Sequence, residues 1–279
     1  MNRNQALMLL IEEAHRGDFH FPTSARLAIK IRQTLDDPEC HLDAAGKLIS
    51  AEPLLAAQVI AMANSVAYNP GGREITDVRT ATARLGFRTL RTLAMAFVTR
   101  QMAGTPSSPE QKRLAGELWE HTAHVAALAR IIAAKVTGKD PETALFCGLV
   151  HEIGGFYLLS RVEQYPALIL PQAEAADNVD LVSVTNTLSL AVLRNLGVPE
   201  TVLDAVESYV EGYLASPPTT LADTLILADH TATFPSPLSA SSADDQKAAH
   251  ELAAQNETLA QALKESDADV ESLVRALRG

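Results

Sequence analysis

Four side chains in this sequence have the types and order to hold one divalent cation. His121 follows Leu118-Trp119-Glu120, His151 and Glu152 stand side by side after the apolar run Leu145 to Val150, and Asp229 ends the run Leu225-Ile226-Leu227-Ala228. An apolar segment has no packing reason to finish in ionisable groups, because a buried charge is costly unless it meets a partner or a metal. Nitrogen and oxygen ligands drawn from separate helices suit a divalent ion. Such an ion can lower the pKa of a bound water enough to make it a nucleophile on a phosphoester. His124, one turn beyond His121, reads as a neighbour of this group rather than a ligand. The His151-Glu152 pair does not begin a zincin H-E-x-x-H motif, since the fifth position is Gly155. The plainer and favoured reading of the four is a polar cluster that satisfies its own hydrogen bonds.

The elements that must position these residues read as helices throughout. Apolar residues recur at helical spacing, alanine and leucine dominate, and alternating β-branched runs are missing, so the expected class is all-α. Asp140-Pro141-Glu142 supplies a cap, a proline and an acid for a helix that should carry His151-Glu152 near its end. Val198-Pro199-Glu200 marks another start, and Thr220 with Asp223 forms a capping-box pattern. The turn-rich stretch from Gly104 to Pro109 divides a first helical lobe, residues 1–104, from a second, residues 105–234. A linker and helical tail, 235–279, follow. In the tail Leu252, Leu259, Leu263, Val270, Leu273 and Leu277 fit one heptad frame. Asn256 and Ser266 interrupt it, and Ser266-x-x-Asp269 reads as a fresh helix start, so two short helices packed on the body or on a partner are expected.

Bulk composition narrows the function classes. With 279 residues, 47% of them hydrophobic, the chain can bury a real core. Its formal net charge of −11 opposes broad attraction to nucleic acid or anionic membrane, so any anion site must be local. Cys40 and Cys147 are the two cysteines and form no C-x-x-C pair, which points away from a disulfide framework or thiolate zinc and towards a reducing cytoplasm. The N-terminal run Ala6 to Ile11 meets Glu12 and Glu13 and does not read as a signal peptide. Leu54 to Ala63 falls short of the roughly 20 residues of a membrane helix, and no membrane span is expected.

The first lobe contains a helix opening at Pro53 and closing on Asn64, Ser65 and Tyr68, ahead of the turn Asn69-Pro70-Gly71-Gly72. By type these three polar residues serve as a helix cap and loop anchor. Together with Phe21-Pro22-Thr23, Ile75-Thr76-Asp77-Val78 and Leu85-Gly86-Phe87-Arg88-Thr89-Leu90-Arg91, the segment closely resembles the HDOD domain over about residues 18–215. The order His121, His151-Glu152, Asp229 resembles the His, His-Asp, Asp pattern of HD-superfamily metal-dependent phosphohydrolases. Three departures stand out. Glu152 replaces aspartate and extends the carboxylate by roughly 1.5 Å, one C–C bond. Gly155 stands where active members often place lysine, and no histidine occurs between Glu152 and Asp229. The resemblance implies a bacterial signalling or regulatory output module in which the metal residues are vestigial. It implies no catalytic residue and no cofactor beyond a divalent metal, with phosphohydrolase activity as the alternative.

Arg84, Arg88 and Arg91 share one face if their helix runs through Gly86. Grouped guanidinium ions could engage the phosphates of a nucleotide second messenger or an acidic partner helix. A solvated charged face is the ordinary alternative. The expected partners are signalling proteins, a nucleotide being the small-molecule candidate. Without a glycine-rich phosphate loop or an aromatic stacking platform, nucleic acid is not an expected ligand.

Overall fold

Side-chain caps at Asn2, Asp77, Ser108, Asp140, Asp180 and Thr220 start six helices among the described residues. The computed structural model describes residues 1–169, 180–212, 214–238 and 257–278, and among these no strand forms. The first six helices are α1 (Arg3–Arg16), α2 (Thr23–Asp36), α3 (Leu42–Ser50), α4 (Pro53–Asn64), α5 (Val78–Met102) and α6 (Pro109–Ile132). A π-helical turn, Ala133–Thr137, ends α6. Then come α7 (Pro141–Val150), α8 (Ile153–Ser160), a 3-10 turn at Pro166–Ile169, α9 (Leu181–Asn195), α10 (Glu200–Glu211) and α11 (Leu221–Thr231). Two tail helices close the chain, α12 (Glu257–Glu265) and α13 (Asp267–Arg278).

Asp140 caps α7 by accepting from the Thr143 amide at 2.8 Å, as its pattern predicts. The box at α11 is also formed, and Asp223 does more than close it. Its carboxylate accepts backbone N–H bonds at 2.8 Å from Ala215, Thr219 and Thr220, tying the preceding loop to the helix start. Burial pushes this carboxyl up, but the three amides together outweigh it and its pKa falls below the ordinary 3.8. Asp223→Ala is expected to cost about 2–4 kcal/mol, because it orphans three donors. The sign of the acid response follows from the lowered value. The stabilisation is present above the unfolded-state value and is lost as pH falls through the lower folded one. Urea unfolding of Asp223→Asn against pH should therefore show a shallower acid limb than the parent chain.

Helices α2, α3 and α4 pack on α5, and α6 packs on α7 and α11 to form the second lobe. Helix α1 lies against α9 and the 3-10 turn, so the chain's first helix sits on elements assigned by sequence to the second lobe. The tail helices lie on the body. Helix α13 packs against α4 and α6, with Leu273, Val274 and Leu277 buried, and Gln58 donates to the Leu277 carbonyl at 2.9 Å. Leu252, Asn256 and most of the expected linker fall outside the described residues.

One stretch, Pro141–Ser160, is long and apolar enough by composition to cross a membrane, and 78% of its most apolar window is buried inside the bundle. It breaks at His151-Glu152, between α7 and α8. Three glycines set that break against its neighbours. A Cβ at Gly148 would lie 2.4 Å from Ala126 Cα, and one at Gly154 would lie 2.2 Å from the Thr185 carbonyl oxygen. Their bare backbones let α7 press on α6 and α8 on α9, and the Gly154 amide donates to Ser189 Oγ at 2.9 Å. A Cβ at Gly155 would meet Leu238 Cδ1 at 2.6 Å and Leu118 Cδ2 at 3.2 Å.

Candidate metal centre between helices

The close approach at Gly148 carries His151, at the end of α7, onto His121 in the middle of α6. Both imidazoles are 1% exposed, and their Nε2 atoms are 3.4 Å apart. Asp229, near the end of α11, brings Oδ1 to 3.4 Å from His121 Nε2. One ligand atom from each of His121, His151 and Asp229 falls within 4.8 Å of the others. Glu152 joins at one edge, its Oε2 lying 3.5 Å from His121 Nε2. Tetrahedral ligands at about 2.1 Å from an ion are about 3.4 Å from one another, the spacing found around His121.

Hydrogen-bond accounting identifies what this cluster lacks. His121 Nδ1 lies 2.8 Å from the Phe234 carbonyl oxygen and His151 Nδ1 lies 2.8 Å from the Gly148 carbonyl oxygen. A carbonyl only accepts, so each Nδ1 must carry its proton, and the two rings turn their Nε2 atoms towards each other. Burial lowers the His151 pKa and keeps that ring neutral. Glu152 Oε2 is the one atom of the four candidate ligand groups that is buried without a hydrogen-bond partner among the described residues. The backbone bonds that hold the two Nδ1 protons are the outer contacts that orient metal-binding histidines.

Tyr209 is the site residue that sequence reading missed. From the end of α10 its hydroxyl donates to Asp229 Oδ2 at 3.0 Å, and its ring stands edge-on to His151 with centroids 5.5 Å apart. Burial, then the charge of Asp229, raises its pKa well above 10, so it remains a donor. Nothing in the amphipathic pattern of α10 separates this tyrosine from a packing residue. Tyr209→Phe is expected to weaken divalent-metal affinity by about tenfold to a hundredfold, as loss of an outer partner does elsewhere. Competition against a chromogenic chelator measures it. His124 stays outside the cluster, its ring against Phe234 at a centroid distance of 4.9 Å.

The first-lobe motif divides between two roles. Asn64 donates to the Ile60 and Ile75 carbonyls and accepts from the Ile75 amide, while Ser65 donates to the Met62 carbonyl, as a cap and anchor should. Tyr68 instead reaches the second lobe, where its hydroxyl donates to Glu142 Oε1 at 2.6 Å. Arg130 Nε donates to the same carboxylate at 3.2 Å, and its guanidinium lies 5.0 Å from the Tyr68 ring centroid. Burial and the neighbouring Glu142 push the Tyr68 phenol up.

The arginine stripe does not form. Gly86 takes φ 70° and ψ 168°, a conformation that excludes a side chain, and it breaks α5 between Arg84 and the other two. Arg84 turns back to the Tyr68 carbonyl at 3.3 Å and Asn69 Oδ1 at 3.4 Å. Arg88 pairs with Asp140 and donates to Thr143, and Arg91 Nε donates to the Leu35 carbonyl at 2.9 Å.

A helical bundle that gathers histidines and a carboxylate from separate helices has the architecture of HD-type domains. Over residues 21–207 the sequence matches the HDOD domain, and the chain belongs to that family. Solved structures agree on the fold. A candidate metal-dependent phosphohydrolase from Shewanella amazonensis SB2B aligns over 99% of both chains, with 18% identity and a TM-score of 0.72. An HDOD domain protein from Geobacter sulfurreducens aligns over 98% of this chain and 97% of its own, with 17% identity and a TM-score of 0.58. A candidate signal transduction protein from Marinobacter aquaeolei VT8 aligns over 93% of this chain and 60% of its own, with 20% identity and a TM-score of 0.58. No curated protein matches the sequence significantly.

Proposed function

We propose that this HDOD chain is a regulatory module of bacterial signal transduction that holds a divalent cation between His121, His151 and Asp229 and acts through protein contacts. The observation that carries the non-catalytic half is the filling of position 155. Leu238 and Leu118 occupy the space a side chain there would need, and the Phe234 carbonyl is bonded to His121 from the same segment. The position where active relatives offer a lysine to phosphate is thus a closed apolar contact. Both cysteines are free, in keeping with a reducing cytoplasm.

The second reading, a metal-dependent phosphohydrolase, is favoured by the convergence of the ligand atoms and by the cation-seeking balance of the cluster. A divalent ion bound there would supply a Lewis acid and an activated water. The protein's part would be to hold the two imidazoles by their Nδ1 protons and to fix Asp229 through Tyr209. The two readings separate in one assay. Metal-loaded protein is expected to hydrolyse bis(p-nitrophenyl) phosphate no faster than its His151→Ala variant. Turnover that His151→Ala removes would overturn the regulatory reading in favour of the enzyme.

A further inference from the structure

A cavity of about 520 Å³ opens where α2, α5, α7 and the start of α10 meet, away from the histidine cluster. Its walls carry Arg32, Arg88 and Arg91 against the carboxylates of Asp36 and Glu142. Glu142 is already matched by Arg130, which is not among the cavity's lining residues. Arg32 is committed, with Nη1 donating to the Leu196 carbonyl at 2.6 Å, Nη2 to the Gly197 carbonyl at 3.3 Å and Nε beside Asp36. Arg88 and Arg91 are not used up. Arg88 bonds through Nη2 alone, to Asp140 and Thr143, and Arg91 bonds through Nε alone, to Leu35 and Asp36. Nε and Nη1 of Arg88 and both terminal nitrogens of Arg91 have no acceptor among the described residues.

The start of α10 adds donors of a second kind to the lining. Pro199 precedes α10 and no side chain caps that helix, so the Glu200 and Thr201 amides make no hydrogen bond. Thr201 also brings a hydroxyl to the cavity wall. Phe146, Pro199 and Val202 supply an apolar side. Unspent guanidinium N–H groups, open helix amides and an apolar ring in a volume suited to a small molecule define an anion with a flat hydrophobic part. The geometry points to this cleft as a nucleotide site, with phosphate oxygens taken by Arg88, Arg91 and the start of α10 and the heterocycle laid against Phe146. It stands apart from the metal cluster and does not depend on it.

Titration calorimetry on the full chain tests the assignment, with guanosine monophosphate, adenosine monophosphate, cyclic diguanylate and inorganic phosphate as probes. At least one of the three nucleotides is expected to bind saturably, and inorganic phosphate to compete with it more weakly. Arg91→Glu and Arg88→Glu should each weaken binding by about tenfold or more, since each removes free donors and adds a like charge. Because Arg91 also holds the end of α2, Thr201→Glu provides a variant that spares the fold. An acid in the first turn favours the helix, so its thermal midpoint should hold or rise while nucleotide binding drops by a similar factor. Arg113→Glu, on the exposed face of α6, should bind as the parent does. Silence from all three nucleotides, or binding that Thr201→Glu and Arg91→Glu leave intact, would overturn the site.

Discussion

Adding manganese or zinc to metal-stripped protein is expected to raise its thermal midpoint by about 5 °C or more, and His151→Ala or Asp229→Ala should abolish that gain. The expectation follows from the donor census. Two Nε2 atoms and a carboxylate oxygen converge, and the buried Glu152 Oε2 lacks a hydrogen-bond partner beside them. A cation placed there meets these ligand atoms together only while the protein is folded. At a hundredfold excess over the dissociation constant, such binding adds about 2.7 kcal/mol. For a chain of this size each kcal/mol moves the midpoint by roughly 2–4 °C. Calorimetric melts with and without chelator measure the effect. An equal metal-induced shift in the parent and the Asp229→Ala variant would place the ion elsewhere.

Gly154→Ala is expected to be the most damaging single methyl in the chain, costing upwards of about 3 kcal/mol or preventing folding outright. The new carbon would sit 2.2 Å from the Thr185 carbonyl oxygen and 2.3 Å from the Ser189 nitrogen. Both are backbone atoms of α9, so relief requires moving a helix rather than rotating a side chain. The same methyl at Gly116 meets nothing within 4 Å on α6. There it should stabilise by up to about 1 kcal/mol, because alanine is the better helix former. Gly155→Ala lies between the two, since its nearest obstacle is the tip of Leu238, which can swing aside. Chemical denaturation of the three variants gives the ranking directly. A Gly154→Ala protein as stable as Gly116→Ala would mean that α8 and α9 are not in close contact.

What the sequence makes legible here is what short-range rules control. The cap at Asp140, the box at Thr220 and Asp223, the start at Pro53 and the break at Ser266 each need only three or four residues, and each is in place. The convergence of His121, His151 and Asp229 was legible for another reason, because ionisable residues ending apolar runs are rare enough to stand out. The hidden parts depend on contacts between distant segments. Tyr209 looks like any aromatic on an amphipathic helix until α10 lies against α11. Tyr68 looks like a loop anchor until α7 presents Glu142. Gly86 sits inside an unbroken helical pattern, and only its backbone angles show that the arginines on either side of it diverge. The orientation of the two histidine rings was hidden because their Nδ1 atoms bond the carbonyls of Phe234 and Gly148, which no side-chain pattern records.

Helices α7 and α10 share one further property. Each begins at the arginine cleft, with Thr143 and Thr201, and each delivers a residue to the histidine cluster at its far end, His151 and Tyr209. Ten residues of helix span about 15 Å, so two stiff rods join a donor-rich end of the molecule to an acceptor-rich one. Thermodynamic linkage makes such a connection two-way: whatever factor an anion at one end lends to cation binding at the other, the cation returns in full.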